Sequence, residues 1–146
     1  MTTHFVGLVG FETWIVAGEK YTREMEVVNV KVAHIRPAYA NLKAWMNDTN
    51  KNMYIGRKGV VFVDGARFPK EDSVWANPFK ITSDCPREEA VARYEAYIKG
   101  RLASGEVNLD SLVGKRLGCW CSPELCHGHV LVNLVAEHIK SGTQVA

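Results

Sequence analysis

The pattern of hydrophobic and polar residues divides the chain into short strands and two helices. Apolar residues recur at every third or fourth position from Pro86 to Leu102, which predicts an amphipathic helix that Ser83 or Asp84 could cap. The apolar segment 130–139 predicts a second helix. Runs rich in β-branched residues predict strands at 26–32, 53–56, 60–63 and 117–121. This succession favours an α/β fold, a single compact Rossmann-like domain with a mixed, partly parallel sheet flanked by helices.

Weaker signals describe the rest of the chain. Asp64-Gly65 between two apolar runs predicts a tight turn. Residues 5–10 and 14–18 predict two short strands around a glycine-containing turn, and residues 40–46 predict a short helix. Residues 75–79 are expected to form a loop.

Length and composition limit the classes of protein to which the chain can belong. Its 146 residues suit one domain, 1–146, with an ordinary hydrophobic core. The 18 basic and 16 acidic residues give a formal net charge of +2, which argues against a dedicated nucleic-acid binder. No apolar stretch reaches the roughly 18 residues of a membrane span, and the N-terminus shows no secretory signal. We therefore expect a cytoplasmic protein, in which cysteines serve ligation, catalysis or burial rather than disulfides.

The segment 118–129 concentrates reactive side chains, with three of the four cysteines and two of the five histidines. It lies between a predicted strand and a predicted helix, which is where open α/β sheets bind ligands. Alternate residues of a strand share a face, so Cys119 and Cys121 are expected to point the same way. Cys126 and His127 are expected in the first helical turn. Amides there would either favour a thiolate at Cys126 or hold an anionic ligand group.

Several interpretations of these residues remain open. Cys126 could be a nucleophile, with His127 as acid or base. Cys119, Cys121, Cys126 and His127 could instead bind zinc, although their spacing differs from that of the usual zinc knuckle. The segment could also form the floor of a small-molecule site, or the thiols could simply be buried.

Two other segments carry candidate binding residues. Gly56-Arg57 follows a predicted strand, where an arginine is well placed to bind phosphate or carboxylate, although spacing alone favours a solvated surface arginine. Trp75 and Phe79 either fill the core or stack on a flat ligand such as a nucleobase, and core is favoured for Phe79. Asn77 either reads a base edge or braces the loop through an Asx-type hydrogen bond.

Together these motifs resemble the DUF4326 family, a small family of uncharacterised domains frequent in bacteriophage and bacterial genomes. The resemblance is carried by Val28-Asn29-Val30, Tyr54-Ile55-Gly56-Arg57, Trp75-Ala76-Asn77-Pro78-Phe79, the Pro86 helix, Gly114 to Cys121, and Cys126-His127-Gly128. It implies a family-like core at 28–138, an N-terminal extension at 1–25 and an insertion at 34–51. It also implies two departures, because family members usually have glycine where Ala76 stands and an acidic residue where His129 stands.

These observations lead to one expected function with two alternatives. We expect the chain to bind a small nucleotide-like or phosphorylated ligand around 119–129, sequestering a signalling nucleotide in a phage context and therefore in the host cytoplasm. A Cys/His-dependent enzyme acting on a nucleoside or nucleotide derivative, and a structural zinc domain, are the alternatives. No cofactor, nucleic acid or membrane partner is favoured, and a homo-oligomer whose subunits share the site is left open. The expected binding residues are Gly56, Arg57, Trp75, Asn77, Pro78, Phe79, Cys119, Cys121, Cys126, His127, Gly128 and His129.

Overall fold

The computed structural model describes residues 4–6, 9–16, 19–121 and 124–145, with side chains from Met25 to Cys121 and from Glu124 to Lys140. In chain order the elements are strands β1 (His4–Val6), β2 (Val9–Val16) and β3 (Glu19–Asn29), helices α1 (Val32–Ile35) and α2 (Leu42–Asn47), strands β4 (Asn52–Tyr54), β5 (Val61–Val63) and β6 (Ala66–Phe68), helix α3 (Arg87–Ser104), the 3-10 helix Leu109–Leu112, strand β7 (Arg116–Cys119) and helix α4 (His127–Val145).

Five strands form one mixed sheet in the order β1-β2-β3-β7-β4. Strands β1, β2 and β3 pair antiparallel, whereas β7 lies parallel to both β3 and β4. Gly118 of β7 stands opposite Val28 on one side and Tyr54 on the other. The predicted mixed, partly parallel sheet flanked by helices is therefore confirmed. Because the three parallel strands run the same way, their carboxyl ends meet at one edge of the sheet.

Each face of the parallel strands covers a separate core. Leu117 and Cys119 belong to the larger core, which α3 and α4 help to form. The smaller core lies on the opposite face and contains Val30 and Trp45. Gly118 belongs to this second face, where an added Cβ would lie 2.7 Å from the Val30 side chain. The sheet is thus covered on both faces, as its parallel strands require.

Several predicted element boundaries are wrong. The strands predicted at 53–56 and 117–121 end at Tyr54 and Cys119. Two other differences have a local reason. The strand predicted at 26–32 ends at Asn29, since the Asn29 side-chain oxygen accepts a hydrogen bond from the Lys31 amide at 2.9 Å and turns the chain. Helix α3 has Pro86 at its N-cap position, not Ser83 or Asp84. A tight turn closed by hydrogen bonds between Thr82 and Cys85 holds those two residues away from the helix.

Other expectations are confirmed. Helix α3 ends at Ser104 and is followed by Gly105, which adopts a left-handed conformation with φ 82°. Strands β5 and β6 form a two-stranded hairpin, with positive φ at Asp64 (53°) and Gly65 (80°) in the predicted turn. The prediction near the N-terminus is wrong in its bounds, because the strand predicted at 5–10 is divided between β1 and β2, and residues 11–13, expected between the two strands, lie inside β2. Gly7, Leu8, Ala17 and Gly18 lie outside the described residues. Within the described part of the chain, every helix is too short or too polar to cross a membrane.

Candidate functional site

A cavity of about 400 Å³ lies at the carboxyl ends of the parallel strands. Strand β7 contributes Cys119 and the residues after it, and α4 contributes its first turn. The loop after β4, the loop before α3 and the first turns of α3 complete the wall. The lining residues are Gly56, Arg57, Val60, Asn77, Phe79, Lys80, Ile81, Arg87, Ala90, Val91, Cys119, Trp120, Cys121, Leu125, Cys126 and His127. The fold therefore brings together the three segments 56–57, 75–79 and 118–129, in each of which the sequence predicts binding residues.

Three thiols meet in the cavity wall. The sulfur atoms of Cys119 and Cys126 lie 3.3 Å apart, and both residues are buried and not in a disulfide. The hydrogen bond with Cys121 lowers the pKa of the Cys119 thiol, but the hydrogen bond with Cys126 and burial outweigh it and raise this pKa to about 11. The Cys121 pKa is raised as well, chiefly by its hydrogen bond with Cys119. Both thiols are therefore protonated at neutral pH.

Cys126 differs from its neighbours because its pKa is lowered. The hydrogen bond from Cys119 is the main cause, and the backbone amides of Gly128 and His129 add to it. This is the position of a helix N-cap side chain, which accepts bonds from the first free amides. The amides of Gly128 and His129 thus donate hydrogen bonds to the Cys126 sulfur atom. Of the two alternatives, this arrangement favours a thiolate at Cys126 over direct binding of a ligand anion by the backbone amides.

The imidazole of His129 makes the second side-chain hydrogen bond at the start of α4. Its Nδ1 accepts a hydrogen bond from the Cys126 backbone amide at 3.0 Å. A side chain three residues into a helix that reaches back to the N-cap amide is the geometry of a capping box, in which Glu or Gln is usual. The histidine thus makes the contact that an acidic residue would make at this position. His129 is absent from the cavity lining, so its place is structural support behind Cys126.

His127 is held as a neutral ring in the cavity wall. Its Nε2 donates a hydrogen bond to the carbonyl of Ile55 at 2.7 Å, since a carbonyl can only accept. The ring also meets Tyr94 edge to face, with centroids 4.8 Å apart. Burial lowers the pKa of His127 to about 4. The imidazole is therefore uncharged at neutral pH, and Nδ1 is its remaining acceptor.

The charged residues of the cavity wall are all cationic. Arg57, Lys80 and Arg87 line it, whereas no Asp or Glu is among the described lining residues. Arg57 is fixed by two hydrogen bonds to the Asn77 carbonyl, at 3.0 and 2.6 Å. Arg87 pairs with Glu124 at 2.6 Å and donates to the Leu125 carbonyl at 3.0 Å. Glu124 offsets part of this charge, but the wall as a whole is positive.

The aromatic residues are distributed differently from the expectation. Trp75 is only 2% exposed and belongs to the core, so its ring has no free face for a ligand. Its carbonyl accepts a hydrogen bond from the Tyr94 hydroxyl at 2.7 Å. Phe79, for which the core was favoured, is half-buried and lines the cavity. Trp120 also lines it, and its indole nitrogen donates to the Tyr54 hydroxyl at 2.9 Å.

Of the remaining predicted residues, Gly56 and Asn77 line the cavity, whereas Gly128 and Pro78 do not. Asn77 braces its loop as an Asx turn, because its side-chain oxygen accepts from the Phe79 amide at 2.8 Å. Gly56 leaves room for Tyr54, whose ring carbon Cζ would lie 2.6 Å from an added Cβ. Gly128 is buried against the side chains of Val27 and Ile55 and does not line the cavity. Pro78 is exposed and also lies outside the lining.

Several lining residues were missed by the sequence reasoning. Val60, Ile81 and Leu125 are large apolar side chains that are each more than 40% exposed, and they form an apolar rim. Lys80 and Arg87 were missed because isolated basic residues beside a helix start carry no sequence signal of their own. Their neighbour Cys85 is buried but is not among the cavity-lining residues.

The zinc alternative gains no support from the geometry. Among the residues that the structure describes, no group of three or more His, Cys, Asp or Glu side chains is arranged to hold a metal ion. Cys119, Cys121 and Cys126 are close together, but His127 turns its Nε2 towards the Ile55 carbonyl.

Comparison with known proteins places this site in a family. The model of the domain of unknown function DUF4326 matches residues 40–137, so it contains every lining residue of the cavity. Over 62 residues the chain is 37% identical to an uncharacterised 12.4 kDa protein of the nrdA-td intergenic region of Enterobacteria phage T4, covering 40% of this chain and 57% of that protein. The chain thus spans somewhat over half of that relative's length, and no solved structure matches significantly. The chain belongs to the DUF4326 family, as its motifs suggested.

Proposed function

We propose that the protein binds a small nucleotide-like or phosphorylated ligand in the cavity beside Cys119, Cys126 and His127. The observation that carries this proposal is the set of three cations, Arg57, Lys80 and Arg87, in a lining whose described residues include no carboxylate, although Glu124 outside it pairs with Arg87. The cavity, at about 400 Å³, falls in the range of small-molecule sites. Its position at the carboxyl ends of parallel strands is the usual one in α/β proteins.

The charge distribution suggests how such a ligand is oriented. The anionic group lies against Lys80 and the two arginines, which the Asn77 and Leu125 carbonyls hold in place. The flat or apolar part lies against Phe79 and Trp120, under the apolar rim of Val60, Ile81 and Leu125. Trp120 therefore replaces Trp75 as the stacking residue in this proposal.

Three finer statements belong to the same proposal. The parallel strands β3, β7 and β4 are a Rossmann-like unit, with the cavity at its switch point. The ligand is a signalling nucleotide that the protein sequesters, in keeping with the relative from Enterobacteria phage T4. Sequestration would take place in the cytoplasm of the infected host.

Calorimetric titration with adenosine monophosphate, adenosine and inorganic phosphate tests the proposal. We expect the monophosphate to bind more tightly than adenosine, and its affinity to fall as salt rises because the site is cationic. Lys80→Gln should weaken monophosphate binding about threefold to tenfold, the effect of losing one charge–phosphate contact. Lys70→Gln removes an exposed lysine outside the cavity and should change nothing. Equal binding of adenosine and its monophosphate, or no binding of any of the three, would contradict the proposal.

The lowered pKa of Cys126 favours a second candidate function, an enzyme that acts on a nucleoside or nucleotide derivative. The Cys126 thiolate would form a bond to an electrophilic carbon of the ligand and displace the leaving group from that carbon. A water molecule, whose proton the Nδ1 of His127 would accept, would then break the bond to sulfur and release the product together with the thiolate. Incubation of the protein with each nucleotide that it binds, followed by chromatography, detects turnover. Under this alternative Cys126→Ser abolishes turnover and retains binding. Binding without turnover supports sequestration instead.

A further inference from the structure

We propose that Cys126 and Cys119 form a thiol–disulfide exchange site whose substrate is a small anionic aliphatic disulfide. This activity is separate from the binding of a nucleotide-like ligand and does not depend on it. It uses the same cavity only as the route by which the substrate reaches the two sulfur atoms.

The geometry of the sulfur atoms is the first argument. They lie 3.3 Å apart, whereas a disulfide bond is about 2.0 Å long, so the side chains need to approach by little more than about 1 Å. The two residues come from the end of β7 and the position before α4. Both are almost fully buried, at 2% and 3% exposure, yet both line the cavity. A small molecule in the cavity therefore meets both thiols.

The division of roles between the thiols is the second argument. The pKa of Cys126 is lowered, first by the hydrogen bond from Cys119, whose sulfur atom lies 3.3 Å away, and then by the backbone amides of Gly128 and His129. The pKa of Cys119 is raised, so it keeps its proton until a mixed disulfide forms next to it. Exchange requires a thiolate as attacking group and a second thiol within reach to complete the reaction. Cys126 is therefore the attacking residue and Cys119 the resolving residue.

The positive wall is the third argument and selects the substrate. Arg57, Lys80 and Arg87 surround the route to Cys126, and the described lining contains no carboxylate. An anionic disulfide is attracted into this cavity, whereas a cationic disulfide of the same size is repelled.

The reaction balances without any further reactant. The Cys126 thiolate attacks one sulfur atom of the substrate disulfide, the substrate's S–S bond breaks, and half of the substrate leaves as a thiolate. Cys119 then attacks the Cys126 sulfur atom and gives its proton to the second departing half. The product is a Cys119–Cys126 disulfide, and the two electrons lost by the pair reduce one substrate disulfide to two thiols.

Peptide mapping of the wild-type protein tests the product. The folded protein is treated with dithiodipropionate, remaining thiols are alkylated under acid denaturing conditions, and glutamyl endopeptidase cleaves after Glu124. We expect a loss of two hydrogen atoms in the intact mass, and peptides on either side of Glu124 linked by a disulfide. Fragmentation of the linked peptides in the mass spectrometer distinguishes a bond to Cys119 from a bond to Cys121. A disulfide involving Cys85 or Cys121, or no reaction, would overturn the proposal.

Variants and a charge-matched reagent test the mechanism. Cys119→Ser should stop at the mixed disulfide, with one substrate half attached at Cys126, and Cys126→Ser should react at least about tenfold more slowly. Cys85→Ser removes a buried cysteine outside the cavity and should behave as wild type. Cystamine, the cationic counterpart, should react more slowly than dithiodipropionate. Reaction of Cys126→Ser at the wild-type rate, or faster reaction with cystamine, would refute the assignment. Circular dichroism checks that each variant is folded. If a variant is unfolded, peptide mapping of the wild-type protein still tests the proposal by itself.

Discussion

Replacing Gly118 by alanine tests how tightly β7 is seated between the two cores. Gly118 pairs with Val28 and with Tyr54, so its backbone is held from both sides and cannot move away from the smaller core. An added Cβ would contact Trp45 Cη2 and lie 2.7 Å from both Trp45 Cζ3 and Val30 Cγ1. Real Cβ atoms essentially never approach so closely, so a neighbour must shift.

The magnitude follows from which neighbours must move. Trp45 is 2% exposed and Val30 is 1% exposed, so neither can rotate into solvent. Overpacking of a filled core by one methyl group costs about 1 to 3 kcal/mol, and we expect the upper part of that range because several contacts are violated together. Gly100 offers a matched control: it lies inside α3, is exposed, and an added Cβ meets no atom within 4 Å. Gly100→Ala should stabilise the protein by about 1 kcal/mol through helix propensity.

Urea denaturation followed by circular dichroism measures both changes. We expect the midpoint to fall for Gly118→Ala and to rise for Gly100→Ala, with similar slopes for both variants and wild type. An unchanged or raised stability of Gly118→Ala would refute the packing of β7 against Trp45. Equal destabilisation by both substitutions would show that the loss of glycine itself, not the contact with Trp45 and Val30, is the cause.

Two further predictions concern His127 in the cavity wall and Tyr94, which packs against it. His127 takes up a proton at pH 6.5 when unfolded but only at about pH 4 when folded, so its contribution to stability is complete above pH 6.5 and is lost as pH falls towards 4. That loss amounts to about 3 kcal/mol of the free energy of unfolding. Urea denaturation at pH values between 6.5 and 4 should show that the stability of His127→Gln declines less steeply with falling pH than that of wild type. Parallel plots of stability against pH for the two proteins would contradict the prediction. Tyr94→Phe leaves the buried Trp75 carbonyl without its 2.7 Å partner and should cost about 1 to 3 kcal/mol in the same assay, whereas an unchanged midpoint would show that this bond contributes nothing.

The chain's periodicity determined some of the elements and the place of the site, but not the first part of β3, which begins at Glu19. Helix α3 and the strand-to-helix junction at 119–127 follow from residue spacing, because apolar periodicity and turn-forming residues act over a few positions of the chain. The family motifs likewise marked Gly56-Arg57 and the 75–79 loop, which the fold brings to the same cavity. What these signals report is local conformation.

Tertiary structure decided which residues meet at the site and which only support it. Trp75 and Trp120 are both large aromatics in marked segments, yet packing buries the first and leaves the second on the cavity wall. The contact between the sulfur atoms of Cys119 and Cys126 depends on how α4 meets β7. The cationic wall joins Lys80 and Arg87 to Arg57 across separate segments. Such contacts arise from the packing of elements distant in sequence, and a pattern along one chain carries no record of them.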